Sequence, residues 1–196
     1  MKFFDPGDIQ SIRMTVMDSY WLERCQAGDE HAIEKLVYTH QKDVYRLALS
    51  ILDDPDEAED GTQETFLAAL RALDSFRGDS SFKTWLFSIA INVCRSRLRR
   101  RSAREQLSRL LQGLFHPNEE EGHPERMSLQ SAADAELWNA VRALNEKHRI
   151  PVVLRYYHDL PIADIAAILK VPPGTIHSRL NHARGQLRSL LKEEPR

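Results

Sequence analysis

The sequence is poor in the residues that disulfide-rich proteins, metalloproteins and many enzymes need. Its 196 residues include two cysteines, Cys25 and Cys94, which lie far apart and have no neighbouring cysteine. They can build neither a disulfide framework nor a paired-cysteine zinc cluster. The eight glycines form no glycine-rich phosphate loop, and no Ser/His/Asp arrangement stands out. We therefore expect a protein that is not an enzyme, binds no cofactor or metal and works in a reducing compartment.

Long apolar runs are also missing. No run reaches the roughly 20 apolar residues that a membrane span requires. The N-terminal stretch MKFFDPGDIQ is interrupted by Asp5, Pro6 and Asp8, which a signal peptide would not contain. We expect a cytoplasmic protein with no direct membrane insertion. Residues 1–19 are predicted to be an N-terminal extension, and its two further methionines are alternative starts of the chain.

The charges are balanced in total but uneven along the chain. The formal net charge is −2, yet DDPDEAED at 53–60 holds six acids and no base, whereas RSRLRRRSAR at 95–104 holds six arginines and no acid. Opposite charges concentrated in separate segments favour different partners. The near-neutral total excludes a uniformly basic nucleic-acid coat, but not a basic surface confined to one part of the molecule.

The apolar residues follow the helical period of about 3.6 residues, and no alternating strand pattern of any length is present. One of the predicted helices runs from Phe82 to about Arg101. The segment 105–132 is rich in Pro, Gly and Glu and is predicted to be a flexible linker. The sequence thus predicts an all-α fold of two small helical domains, at 20–104 and 133–196.

The C-terminal domain ends in two helices joined by the tight turn VPPGT, with Thr175 as the predicted start of the last helix. This spacing is typical of a helix-turn-helix motif. The side of the last helix opposite Leu180 carries small and hydrogen-bonding residues that suit base edges, flanked by arginines that suit phosphates. An ordinary packing unit with a solvated polar face is the alternative interpretation.

The N-terminal domain contains a second set of candidate nucleic-acid ligands. A loop with Phe76 and Arg77 precedes a helix whose polar face grows more basic from Ser88 to Arg99. Aromatic and cationic groups together are typical of single-strand recognition. The alternatives are that Phe76 covers the core and that the arginines form a solvated helix end.

The acidic helix that follows residue 53 is a candidate protein-binding element. Asp60, Gln63, Glu64 and Leu67 share one of its faces. This face would repel nucleic acid and attract a basic protein surface. A solvated acidic face is the alternative.

Four motifs in this order resemble the extracytoplasmic-function (ECF) sigma factors of bacterial RNA polymerase: EAEDGTQETFLAAL, DSFRGDSSFKTWLFSIAINVCRSRLRRR, HRIPVVLRYYHDLPIADIAAIL and VPPGTIHSRLNHARGQL. The resemblance covers about residues 20–192. It implies that residues 20–104 form sigma domain 2 and residues 133–196 form sigma domain 4. It also implies a protein that binds core RNA polymerase and directs promoter-specific transcription initiation.

The resemblance implies three binding surfaces. The polymerase-docking residues would be Asp60, Gln63, Glu64, Phe66 and Leu67. The residues that recognise and melt the −10 element, and hold its non-template strand, would be Phe76, Arg77, Ser80, Ser88, Asn92, Arg95 and Arg99. The residues that read the −35 duplex would be Thr175, His177, Ser178, Arg179, Asn181, His182 and Arg184. The resemblance also implies an anti-sigma factor, often membrane-bound, as a partner.

The chain departs from the family at two of the −35 positions. Family members commonly carry Arg or Lys where His177 and His182 stand here. A neutral histidine offers one donor and one acceptor instead of the guanidinium fork that suits guanine. The usual −35 sequence is therefore not carried over to this chain.

Two other functions stay open on the sequence. A free-standing helix-turn-helix regulator would explain residues 160–191, but it would leave the acidic helix and the arginine-rich helix without a role. An RNA-binding scaffold would use the arginines and would bind RNA tightly without polymerase.

Overall fold

The computed structural model of the protein describes residues 16–112 and 132–191. Within these ranges every regular element is helical, and no strand is present. The predicted all-α fold with two helical domains is therefore confirmed. Residues 1–15 of the predicted N-terminal extension and residues 113–131 of the predicted linker lie outside the described residues, whereas residues 16–19 of that extension belong to the first helix.

The N-terminal domain consists of four helices: α1 (Val16–Gln26), α2 (Glu30–Leu52), α3 (Pro55–Arg71) and α4 (Phe82–Gln112). The helices α2, α3 and α4 pack pairwise against one another, and α1 packs on α2. The Asp29 and Asp54 side chains cap α2 and α3 by accepting hydrogen bonds from backbone N–H groups of their first turns. Pro55 at the first position of α3 fits a site where no N–H partner is needed.

The core of this domain follows the helical period of the sequence. Its largest fully buried side chains include Leu47, Ile51, Leu86 and Phe87. Both cysteines are buried free thiols. Burial raises the pKa of the Cys94 thiol to about 12, so the group stays protonated at neutral pH.

The helix α4 is longer than the sequence predicts. The sequence predicts a helix end at about Arg101 and a linker from residue 105, but the helix continues to Gln112. No Gly or Pro interrupts this stretch before residue 113. Arg101 also pairs with Glu105 one turn later, with 3.1 Å between Nε and Oε1. The domain boundary at 104 therefore falls inside a continuous helix.

The C-terminal domain contains α5 (Ala132–Ala143), α6 (Glu146–Val152), a π-helical turn at 153–157, α7 (Ile162–Leu169) and α8 (Pro173–Leu190). The helices α7 and α8 form the predicted helix-turn-helix. Lys170, in the left-handed conformation, ends α7. The helix α8 begins at Pro173 instead of the predicted Thr175 because proline fixes the backbone angle that a first helical turn requires.

The two domains pack against each other. The Arg149 guanidinium of α6 donates a hydrogen bond to the Ile51 carbonyl of α2 at 3.1 Å, and Arg142 pairs with Asp53. The helices α4 and α7 are also in contact, and His158, which follows the π-helical turn, packs on Phe87 of α4 with 4.8 Å between the ring centroids. We call this arrangement the closed form.

Candidate polymerase-docking and nucleic-acid interfaces

The exposed face of α3 carries most of the predicted docking residues. Asp60 and Gln63 are exposed, and Leu67 keeps 56% of its surface accessible. Phe66, predicted to dock on polymerase, is only 6% exposed and belongs to the hydrophobic core. Its position on the helix turns it inward, so it supports the face from below and is not part of its surface.

Glu64 is half-buried because α4 supplies it with cationic partners. Arg97 donates to the Glu64 carboxylate at 3.0 Å and to Glu57 at 2.5 Å, and it lies 3.5 Å from Asp60. Arg100 approaches Glu64 at 3.7 Å. The sequence suggested that acidic and basic segments serve separate partners. The structure instead uses Arg97 and Arg100 to neutralise part of the acidic face.

The loop before α4 holds its aromatic residue against the domain. Phe76 packs on Phe82 and Trp85, with ring centroids 5.7 and 5.2 Å away. This contact favours the alternative interpretation, in which Phe76 covers the core. Arg77 is exposed beside it, whereas the half-buried Ser80 hydroxyl donates to the carbonyl of the next residue.

The polar face of α4 lies partly open and partly under the C-terminal domain. Asn92 and Arg99 are exposed. The half-buried Ser88 hydroxyl donates a hydrogen bond to the Trp85 carbonyl oxygen, with 2.6 Å between the two oxygen atoms. Arg95, however, pairs with Glu146 of α6 at 2.8 Å. The closed form therefore occupies one of the predicted −10 ligands with a carboxylate.

Two further contacts extend this cover along α4. Thr84 is 3% exposed and donates to Asp164 of α7 at 3.2 Å. His158 is also buried, and its Nε2 has no hydrogen-bond partner among the described residues. Burial, helped by the charge of Lys83, lowers the pKa of His158 to about 4. The histidine is thus neutral in the closed form at physiological pH.

The helix α8 presents the polar face that its sequence predicts. Ile176, Leu180 and Ala183 are buried against the rest of the domain. The opposite side carries residues that are exposed or, for Thr175, half-buried: Thr175, His177, Ser178, Asn181 and His182. The sequence of α8 contains no Asp or Glu. A carboxylate-free face with hydroxyl, amide and imidazole groups can approach base edges without repelling the DNA backbone.

The two arginines predicted to contact phosphates differ in environment. Arg179 is half-buried, and its Nε is buried without a partner among the described residues. Arg184 is exposed, and its Nε donates to the Tyr156 hydroxyl at 2.9 Å. Tyr156 is not predictable from the sequence, because nothing in the Leu-Arg-Tyr-Tyr stretch indicates which of the two tyrosines contacts α8.

Two sequence families match the two domains. The family described as sigma-70 region 2 matches residues 36–104, and the family described as sigma-70, region 4 matches residues 134–187. The ECF RNA polymerase sigma-E factor of Escherichia coli (strain K12) is 35% identical over 174 residues, which cover 85% of this chain and 90% of the relative. The chain belongs to the ECF sigma factors.

Other comparisons agree with this family membership. The RNA polymerase sigma-H factor of Pseudomonas aeruginosa is 36% identical to this sigma factor over 174 residues, with 85% and 90% of the two chains covered. The sigma factor RpoE of Bartonella quintana, solved in complex with the anti-sigma factor NepR, matches with a TM-score of 0.65 and 29% identity. That match covers 83% of this sigma factor and 98% of RpoE.

The described part of the sigma factor contains neither a candidate membrane span nor a candidate metal cluster. No described helix is long and apolar enough to cross a membrane. Likewise, residues 16–112 and 132–191 contain no group of three or more His, Cys, Asp or Glu side chains placed to hold a metal ion.

Proposed function

We propose that this sigma factor docks on core RNA polymerase through α3 and directs transcription initiation by recognising the −10 and −35 promoter elements. The observation that carries the proposal is the exposed combination of Asp60, Gln63 and Leu67 on α3. A carboxylate at this surface disfavours DNA and favours a basic protein. An exposed leucine of this size next to it supplies the apolar anchor that stable protein interfaces usually contain.

The promoter contacts are divided between the two domains. Asn92 and Arg99 of α4, with Arg77 in the loop before it, would hold the melted non-template strand of the −10 element. The polar face of α8 would enter the major groove of the −35 duplex. Opening DNA costs roughly 1.4 kcal/mol per stacked step, so binding to polymerase must supply part of the stabilisation. The protein itself carries out no chemistry on the DNA and is not an enzyme.

Promoter binding requires the closed form to open. Arg95 must leave Glu146 before it reaches a phosphate, and α7 must move away from Thr84. The 19 residues from 113 to 131 can span about 65 Å at most. This reach exceeds one DNA turn of roughly 34 Å, so the two domains can contact elements on separate turns.

The same family membership suggests how access to polymerase is controlled. RpoE of Bartonella quintana was solved with the anti-sigma factor NepR. We infer that an anti-sigma factor, in some settings membrane-bound, also sequesters this chain. Because its partners would be polymerase and chromosomal DNA, the chain would act in the cytoplasm.

The docking proposal is tested by run-off transcription with purified core polymerase and by measuring the affinity of the chain for core. Leu67→Ala removes the exposed anchor and should weaken core binding about tenfold. Leu107→Ala is the matched control because Leu107 is 57% exposed but lies on the distal part of α4. It should bind core like the wild type.

The opposite result would favour the free-standing regulator. If the wild-type chain forms no complex with core at ordinary ionic strength but binds promoter duplex without it, the proposed function is wrong. Equal losses for the two leucine variants would overturn the assignment of α3 while leaving the function in place.

A further inference from the structure

Tyr156 lies at the edge of the proposed −35 surface. It belongs to the π-helical turn at 153–157 that precedes α7, and half of its surface is exposed. Its hydroxyl oxygen accepts a hydrogen bond from Arg184 Nε at 2.9 Å and a second from Arg184 Nη2. The guanidinium carbon is 5.8 Å from the centre of the Tyr156 ring. The tyrosine thus fixes the position of an arginine on the recognition helix.

Arg184 is held from its other side by a residue of the base-reading face. Its Nη1 makes a long contact of 3.5 Å with Oδ1 of Asn181, one turn earlier on α8. A guanidinium has five N–H donors in a planar fork. Three of them point at Tyr156 and Asn181, so two remain for another acceptor. The cation is therefore oriented in advance but not saturated.

The tyrosine hydroxyl also keeps a free donor. Its oxygen already accepts two hydrogen bonds from Arg184, so its single proton must point away from the guanidinium. None of the described residues accepts that proton, and α8 contains no carboxylate that could. An O–H donor and two N–H donors thus stand side by side on an exposed edge, next to a recognition helix that contains no carboxylate. This set of donors fits the oxygens of one phosphate.

We propose that Tyr156 is a further residue of the −35 interface. It positions Arg184 and donates a hydrogen bond from its own hydroxyl to the DNA backbone phosphate that Arg184 contacts. The inference depends on the proposed function, since it assigns a new ligand to the −35 surface. It predicts a contact that fixes the register of α8 on the duplex and carries no base preference. Tyr156 therefore acts in affinity, whereas the neighbouring polar face acts in sequence choice.

The experiment measures how promoter DNA binds to holoenzyme assembled from core polymerase and the full chain. Single phosphates of the −35 duplex are replaced one at a time by uncharged methylphosphonates. Tyr156→Phe keeps the ring and removes only the hydroxyl, and it should weaken binding about three- to tenfold. At one phosphate, methylphosphonate substitution should weaken promoter binding by the wild-type holoenzyme. The same substitution should weaken promoter binding by the Tyr156→Phe or Arg184→Gln holoenzyme little further.

Tyr157→Phe is the matched control. Tyr157 lies in the same turn and is 39% exposed, but its ring packs near Trp138, with centroids 6.5 Å apart. Loss of its hydroxyl should leave promoter binding unchanged. Thermal denaturation of each variant separates a loss of stability from a loss of DNA contact.

Each outcome decides between two possibilities. If Tyr156→Phe binds promoter like the wild type, or keeps the full wild-type sensitivity at every phosphate, the Tyr156–Arg184 pair only ties the turn to α8 and the inference is wrong. A wild-type holoenzyme that is insensitive to the −35 duplex would instead contradict the proposed function itself.

Discussion

At the scale of single residues, the buried His158 lies in surroundings that disfavour a charge. Its ring is 7% exposed and stacks edge-on against Phe87, and burial lowers its pKa to about 4. The charged groups that face it come from α2, α4 and its own loop. Lys83 and Arg46 lower its pKa, whereas Asp43 and Asp159 raise it. Protonation of His158 therefore opposes the closed form.

This burial predicts how stability depends on pH. An unfolded histidine binds a proton below about pH 6.5, whereas the folded His158 binds one only below about pH 4. Its contribution is thus complete above pH 6.5 and is lost as the pH falls from about 6.5 to about 4, by at most about 1.4 kcal/mol per pH unit. Urea denaturation of the wild type across this range should show that slope.

Substitution of the histidine identifies the source of the slope. His158→Leu should flatten the dependence of the free energy of unfolding on pH between 4 and 6.5. His31→Leu serves as the control, because His31 is exposed at the start of α2 and its replacement should keep the wild-type slope. An unchanged slope in His158→Leu would show that another group is responsible.

At the scale of elements, the packing of α3 on α4 depends on the absence of a side chain at Gly61. A Cβ at this position would lie 3.2 Å from Leu52 Cδ1 and 3.7 Å from Arg97 Cδ. The open space lets Arg97 cross α3 and reach Glu57 and Glu64. The glycine therefore supports the ion pairs beneath the proposed docking face.

A large side chain at Gly61 should separate these helices. Gly61→Leu is expected to lower the free energy of unfolding by about 1–3 kcal/mol, as overpacking typically does. Gly185→Leu is the matched control because nothing lies within 4 Å of a Cβ there. It should be neutral or slightly stabilising, since leucine favours a helix more than glycine does. Urea denaturation measures both, and equal losses would contradict the packing argument.

The helical period of the sequence predicted which residues face the core, but not where every helix ends. Buried positions such as Leu86, Ile165 and Leu180 follow directly from the apolar stripe. The sequence does not predict the last part of α4 from an apolar stripe, because its described side chains from 101 to 108 are all exposed and none is buried against a core. Good helix formers and the Arg101–Glu105 pair sustain it instead. The apolar period of α3 also predicts that Phe66 faces the core. The resemblance to the ECF sigma factors instead assigns it to the docking face.

At the scale of the whole molecule, the contact between domains was not predictable from the sequence. The side of α4 that the C-terminal domain covers contains polar residues such as Thr84 and Arg95, which a helical wheel assigns to an open surface. Their partners Asp164 and Glu146 lie far along the chain and belong to helices that look complete without them. The sequence predicts which face binds DNA, whereas only the structure shows what covers that face.

The closed form depends on contacts that charge reversal can weaken. Arg95 and Glu146 are each about one-third exposed, so such a pair contributes only about 0.2–1 kcal/mol. Replacing both Glu146 and Asp164 by lysine turns an attraction into a repulsion and removes the acceptor of Thr84. We expect the double variant Glu146→Lys/Asp164→Lys to open, with a larger radius of gyration by small-angle X-ray scattering.

The control must change the net charge equally without touching the domain contact. Glu30→Lys/Glu136→Lys does so, because both glutamates are exposed and Glu30, like Glu146 and Asp164, lies in the first turn of a helix. Opening should also uncover Arg95, so the lysine variant should bind a single-stranded −10 oligonucleotide more tightly than the control does in the absence of polymerase. If both variants keep the wild-type radius and the same oligonucleotide affinity, the ion pair and the threonine contact do not hold the domains together. Polymerase would then have to overcome the remaining domain contacts, which are His158 with Phe87, Arg149 with the Ile51 carbonyl and Arg142 with Asp53.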